Sequence, residues 1–415
     1  MATNLSSRLT FRAATKQDGP RLQEIVRESF PEEAARNGRA IGRYLQEPYY
    51  DPGNLLVAEL EGEVVSQLGL RQGAAFIKGK SFPGSVVGTV CTTESLRGKG
   101  IGAALMNYAL ETITARGDVL SRLFTSPERY AFYERLAYIR TPVQWPRSTI
   151  TLDEKLKTAL PELARLPEGF ARRRGAQEDA EQLDVLYEPF FGRLTGGMSR
   201  SLEFWKSRLA GQHKLWMRGV PVFDVLTRSD GSAAGYAAVM EEADPPCIVE
   251  LVAVEDAPEA PRLLVGSILQ RLAAAGHEQV ALELGEHSPL WPALAPFAPV
   301  DGSEDDVVFL QLHHAAPFLE QALPELDRRA TEVDATVKFA LPDNNRPYPA
   351  GRGSQKFAVS LTPGLLLSLC YNGRELAELV KSRAVRLEPN TPSMRGLLAR
   401  ILPETFAFRC RMDGY

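Results

Sequence analysis

Hydrophobic and polar positions along the chain fall into a few recurring patterns. Residues 9–12 read as a short strand, Thr15 and Asp18 supply helix-capping chemistry, and Leu22, Ile25, Val26 and Phe30 follow at helical spacing. Residues 55–60 and 64–69 flank Glu61-Gly62 and read as a β-hairpin. Residues 85–93 are a further β-rich run that ends in a glycine-rich loop. The segment 101–115 then sets Leu105, Tyr108, Ala109 and Ile113 on one side of a helix.

The same order recurs about 160 residues later, the mark of a tandem duplication. Residues 173–179 echo 12–18, and Leu183, Leu186 and Tyr187 begin the next helix. Residues 223–227 and 234–240 flank an Asp230-Gly231 turn, 248–254 match the strand before the loop, and 263–274 give a helix. The copies differ at one decisive place. Where the first has Arg97-Gly98-Lys99-Gly100-Ile101-Gly102, the second has Ala257-Pro258-Glu259-Ala260-Pro261. Proline lacks an N–H and fixes φ, so the second loop cannot wrap a phosphate as the first can.

From residue 313 the pattern changes to a helix over 318–330, a strand over 336–339 and a loop over 344–353. A strand over 356–361 and a helical stretch over 363–380, broken at Asn372-Gly373, follow. The fold class is therefore α/β (α+β): two tandem mixed-sheet units, 1–150 and 151–312, and an α+β module, 313–415.

Composition narrows the function. The 415 residues carry a net charge of −4, which provides no positive field for nucleic acid and suits a cationic substrate. The first ten residues lack the basic-then-apolar pattern of a secretion signal, and no run reaches the roughly 18 apolar residues of a membrane span. The expectation is a cytoplasmic protein. Cys91, Cys247, Cys370 and Cys410 form no C-x-x-C pair and no metal spacing with the histidines, so no metal is expected. His313-His314 reads as a surface pair.

The glycine loop carries the chemistry. A diphosphate needs converging N–H donors on a backbone that comes close. Gly98, Gly100 and Gly102 permit that at the positive end of a helix starting at Ile101 and Ala103. Arg97 and Lys99 add cationic donors. Val90, Cys91 and Thr92, on the strand entering the loop, would pair with the amides of a pantetheine arm. Cys91 has no basic neighbour in sequence to activate it and reads as packing rather than as a nucleophile. Further on, Ser126 and Pro127 open a short helix with cofactor-side Ser126 at its cap, and Tyr133 falls two turns along. A tyrosine hydroxyl is a suitable acid for a departing thiolate.

Together the R-x-x-G-x-G loop and the stretch SPERYAFYERLAY resemble the GNAT superfamily of N-acetyltransferases, whose N-x-x-A-x-x-F-Y-x-x-x-G-F segment the latter is similar to. Ala137 stands where that superfamily usually has glycine. The longer arrangement resembles the Eis (enhanced intracellular survival) group: an active domain, a degenerate copy and a sterol-carrier-protein-like C-terminal domain, to which residues 357–388 are similar in pattern. The resemblance implies acetyl-CoA as cosubstrate, Tyr133 as general acid and the α-carboxylate of Tyr415 as general base, although the group's final residue is commonly Phe. It also implies amine acceptors such as aminoglycosides, and a homohexamer. The alternating Phe406, Phe408 and Cys410 suit an ordered tail. Two other readings remain: a non-catalytic lipid- or acyl-CoA-binding protein, and an acetyltransferase for protein lysines or N-termini.

Overall fold

The structure is a computed structural model that describes residues 8–31, 54–211, 220–342 and 347–409. The first copy supplies β1 (Leu9–Ala13), β2 (Leu55–Leu60), β3 (Glu63–Ile77), β4 (Lys80–Thr92), β5 (Leu120–Leu123), β6 (Ile139–Trp145) and β7 (Ser148–Thr151). The second supplies β8 (Phe170–Arg174), β9 (Val222–Arg228), β10 (Ala233–Met240), β11 (Cys247–Ala253), β12 (Gln279–Leu282), β13 (Val300–Asp301) and β14 (Glu304–Leu312).

The two copies exchange their seventh strands. The first sheet runs β1-β2-β3-β4-β5-β14-β6, and the second, read from its far edge, β8-β9-β10-β11-β12-β7-β13. Strand β14 pairs antiparallel with both β5 and β6, and β7 does the same between β12 and β13. The sequence places 304–312 in the second unit, yet the structure places it in the first sheet. Each sheet leaves a gap between its fifth and sixth strands, and the other copy's last strand satisfies both edges. Each sheet is thus built from both of the first two sequence units.

Alternation along β2 sorts the first core. Leu55 and Val57 face α1 (Gly19–Ser29), which buries Leu22, Ile25 and Val26 beside them. Leu56 and Ala58 face the other way, toward α2 (Ile101–Ala115), which buries Leu105, Met106, Ala109 and Ile113. A short α3 (Tyr130–Glu134) lies on that same face. The second copy adds α4 (Glu154–Leu163), α5 (Ala180–Phe191), α6 (Leu202–Leu209) and α7 (Ala260–Ala274). Of these, α7 is the counterpart of α2, and α4 and α6 were not legible in the sequence.

The third unit holds α8 (Ala315–Glu332), β15 (Ala335–Ala340), β16 (Tyr348–Ala350), β17 (Gln355–Ser360), α9 (Pro363–Tyr371), α10 (Leu376–Lys381), β18 (Arg386–Glu388) and α11 (Pro392–Ile401). Its sheet runs β16-β15-β17-β18. Its core is continuous with the first sheet: Phe82 packs on Phe318 at 5.3 Å between centroids, and Thr141 Oγ1 donates to Ser368 Oγ at 2.8 Å. The histidine pair is not a surface pair. Both are half-buried where the chain leaves β14, and both main-chain N–H groups donate to Val119 O.

Candidate active site

Strands β4 and β5 part company early. They pair in parallel only over Gly84↔Leu120, Ser85↔Ser121 and Val86↔Arg122, while β4 runs on to Thr92. The resulting opening exposes the β5-side edge of residues 87–92, where an extended amide chain can add as a strand. On its other side β4 stays paired to β3, with a register shift between Gln67 and Gly69. Opposite that shift Thr89 adopts φ 51°, a left-handed conformation that β-branched residues rarely take. This bulge re-aims Val90 to Thr92 and gave no sequence signal.

The loop that follows is pinned to the rest of the domain. Arg97 Nε donates to Thr92 O at 3.1 Å, and its Nη2 donates to Glu28 O at 2.9 Å and to Ser29 Oγ at 3.2 Å. Glu94 N donates to Glu28 Oε2 at 2.9 Å, and Arg21 Nη2 to Thr93 Oγ1 at 3.0 Å. Arg97 thus braces the loop against the end of α1 while remaining exposed beside it. Lys99 is exposed on the loop. Gly98 and Gly100 have φ of 75° and 85°, and Gly100 caps α2, so both are needed for conformation. Gly102 is needed for space, since a Cβ there would stand 3.3 Å from Thr92 Oγ1 and 4.0 Å from Phe132 Cζ. Ile101 is buried and Ala103 half-buried in the same first turn, whose leading N–H groups have no helical acceptor.

The tyrosine segment meets this helix directly. Ser126 occupies the cap position of a one-turn 3₁₀ segment, Pro127–Arg129, without a side-chain cap bond to it. Tyr133 is buried in the cluster that also holds Val87, Ile101, Leu105 and Phe309. Its ring meets Phe132 at 4.9 Å, Tyr138 at 6.0 Å and Phe309 at 5.9 Å. Burial pushes its hydroxyl up to about 12, against the opposing pull of the Arg129 charge and a hydrogen bond with Thr125. Tyr133 is thus fully protonated throughout the neutral range. The turn after it is a Schellman motif: Tyr138 N donates to Tyr133 O and Ala137 N to Glu134 O. Ala137 has φ 64°, which explains why glycine suits this position.

Burial likewise pushes the Cys91 thiol up to about 12, so it stays a thiol and not a nucleophile. Val87 of β4 and Tyr133 of α3 share one buried cluster, so β4 and α3 converge on one place. Tyr415 and Cys410 lie outside the described residues. Arg409, the last described residue, holds its guanidinium 4.8 Å from the Phe124 ring and donates to Asp306 at 2.8 Å. Phe124 immediately precedes Thr125. Among the described residues there is no group of histidine, cysteine and carboxylate side chains fit to hold a metal ion. No described helix is long and apolar enough to cross a membrane.

Sequence reasoning missed Phe309, Thr125, Arg129 and the Thr89 bulge. Phe309 lies in a Val-Val-Phe-Leu run whose β character was visible, but its partner strands were not.

Residues 10–140 match the acetyltransferase (GNAT) domain family. No curated protein matches the sequence. Solved structures share the fold across nearly the whole chain. A GCN5-related N-acetyltransferase from Anabaena variabilis ATCC 29413 aligns with TM-score 0.69 and 14% identity, covering 98% of this chain and 100% of that one. A GCN5-related N-acetyltransferase from Kribbella flavida aligns with TM-score 0.66 and 16% identity, covering 98% of each. Eis1 from Mycobacterium abscessus aligns with TM-score 0.65 and 19% identity, covering 98% of this chain and 100% of that one.

Proposed function

We propose that the chain, whose residues 10–140 match the acetyltransferase (GNAT) domain family, is an N-acetyltransferase that passes the acetyl group of acetyl-CoA directly to a primary amine. The acceptor is a small cation, aminoglycoside-like or polyamine-like. The arrangement is that of the Eis group, with a sterol-carrier-protein-like third domain and assembly as a homohexamer. The observation that carries the reading is the convergence of the loop helix, the open end of β4 and Tyr133 in one cluster.

Acetyl-CoA lies with its diphosphate at the amides of Gly98 to Ala103 and its pantetheine arm along Val90, Cys91 and Thr92, passing Ser126. The amine loses a proton to a base and attacks the thioester carbonyl. The C–S bond then breaks, the Tyr133 hydroxyl gives its proton to the leaving thiolate, and the acylated nitrogen releases its surplus proton, which restores the tyrosine through solvent. The base is the α-carboxylate of Tyr415. Its support is the position of Arg409 beside Phe124, next to the Thr125 that bonds Tyr133.

CoA release on adding an aminoglycoside or polyamine panel tests the activity, and a one-residue extension after Tyr415 tests the base. The reading predicts release with at least one acceptor, and a strong loss of rate on extension. Co-purified lipid with no turnover of any amine would instead favour a binding protein. Turnover of peptide lysines alone would favour a protein acetyltransferase.

A further inference from the structure

The strand exchange has a consequence at the active site. Strand β14 enters the first sheet from the second copy and sets Phe309 opposite Leu123 on β5 and Arg140 on β6. From there the fully buried Phe309 ring meets Tyr130 at 5.1 Å and Tyr133 at 5.9 Å. One residue past the end of the same strand, His313 reaches the far side of the aromatic cluster. Its Nε2 and Ser121 Oγ are 2.8 Å apart, and Ser121 Oγ and the Tyr138 hydroxyl are also 2.8 Å apart. Its Nδ1 lies 3.3 Å from Thr114 Oγ1, which donates to Leu110 O at 2.8 Å.

One consistent proton arrangement satisfies every member. Tyr138 donates to Ser121, Ser121 to His313 Nε2, His313 Nδ1–H to Thr114, and Thr114 to the Leu110 carbonyl. The Tyr138 ring, held by this chain, meets Tyr133 edge-on at 6.0 Å. Tyr133 is thus bracketed by Phe309 and Tyr138, and both supports come through the exchanged strand.

We propose that Phe309 and His313 are positioning residues for Tyr133, so that the second copy, which lacks the glycine loop, completes the active site of the first. The inference rests on reading Tyr133 as the general acid. A reacting group must be held to within a fraction of an ångström, and a single ring lost from its wall lets it drift. Burial in one aromatic cluster supplies that restraint here, since aromatic pairs favour defined edge and offset geometries.

The test is a double-mutant cycle with F309L, F309Y, S121A and Y133F in the full chain. F309L is expected to lower kcat about tenfold or more while acetyl-CoA Kd stays near wild type. F309Y, which keeps the ring, should restore most of kcat, and S121A should lower it severalfold. Added to Y133F, F309L should cause little further loss, because both changes act through one hydroxyl. A kcat for F309L within twofold of wild type overturns the proposal, as does a loss that multiplies with that of Y133F. If F309L does not fold, F309Y and S121A decide: full activity in S121A overturns the role of the His313 chain. If Y133F itself leaves kcat unchanged, the reading of Tyr133 as the acid has failed instead.

Discussion

Gly102 of α2 faces Thr92 of β4 so closely that a Cβ on the glycine would stand 3.3 Å from Thr92 Oγ1. Thr92 cannot retreat freely, because its Oγ1 lies 2.9 Å from Ser66 Oγ inside the sheet. Gly102→Val should therefore push α2 away from the strand, at a stability cost of about 1–3 kcal/mol. On the proposed reading this separates the two walls of the diphosphate cradle, so acetyl-CoA should bind at least tenfold more weakly. Calorimetric titration and a thermal melt check the two effects.

Ala137 offers a prediction of opposite sign. It occupies the left-handed position of a Schellman motif at φ 64°. A side chain there costs roughly 1 kcal/mol relative to glycine, and the extra freedom of glycine in the unfolded chain returns part of that. Ala137→Gly should be neutral to stabilising, by up to about 1 kcal/mol. Denaturant unfolding measures it, with kcat unchanged because the Tyr133 and Glu134 carbonyls keep their hydrogen bonds.

His313 predicts how stability responds to acid. Burial, with a smaller contribution from His314, holds its imidazole down to about 4 from an ordinary value of 6.5. The folded state then binds fewer protons than the unfolded state between those values, so stability falls as pH drops from about 6.5 toward 4. Protonation would also place a hydrogen on Nε2 against the Ser121 hydroxyl that donates to it. His313→Gln should remove this acid-dependent component, on the order of 2 kcal/mol. The slope of unfolding free energy against pH over that window is the measurement.

Much of the first domain was legible because its elements are written locally. The helix over Ile101–Ala115 follows from its loop and its apolar face, and α1 from Leu22, Ile25 and Val26. The glycine loop was equally plain, since Gly98 and Gly100 are required by their own φ angles. What stayed hidden depends on distant partners. No periodicity in residues 304–312 says that they pair with β5 and β6, so Phe309 could not be placed beside Tyr133. The contacts of Arg97 with Glu28 O and Ser29 Oγ are equally hidden, because they join it to a helix some seventy positions earlier. The left-handed Thr89 is invisible for the same reason, because only pairing with β3 forces the bulge.

The account turns on Tyr133 as the acid that protonates the leaving thiolate. Burial pushes its hydroxyl up to about 12, so the rate should show no falling limb from Tyr133 below about pH 11. The most direct measurement is kcat and acetyl-CoA Kd for Tyr133→Phe, which removes one oxygen and leaves the ring packed on Phe309. The account predicts a kcat lower by about 10²–10⁴-fold with Kd within threefold of wild type. A kcat within threefold of wild type would contradict it.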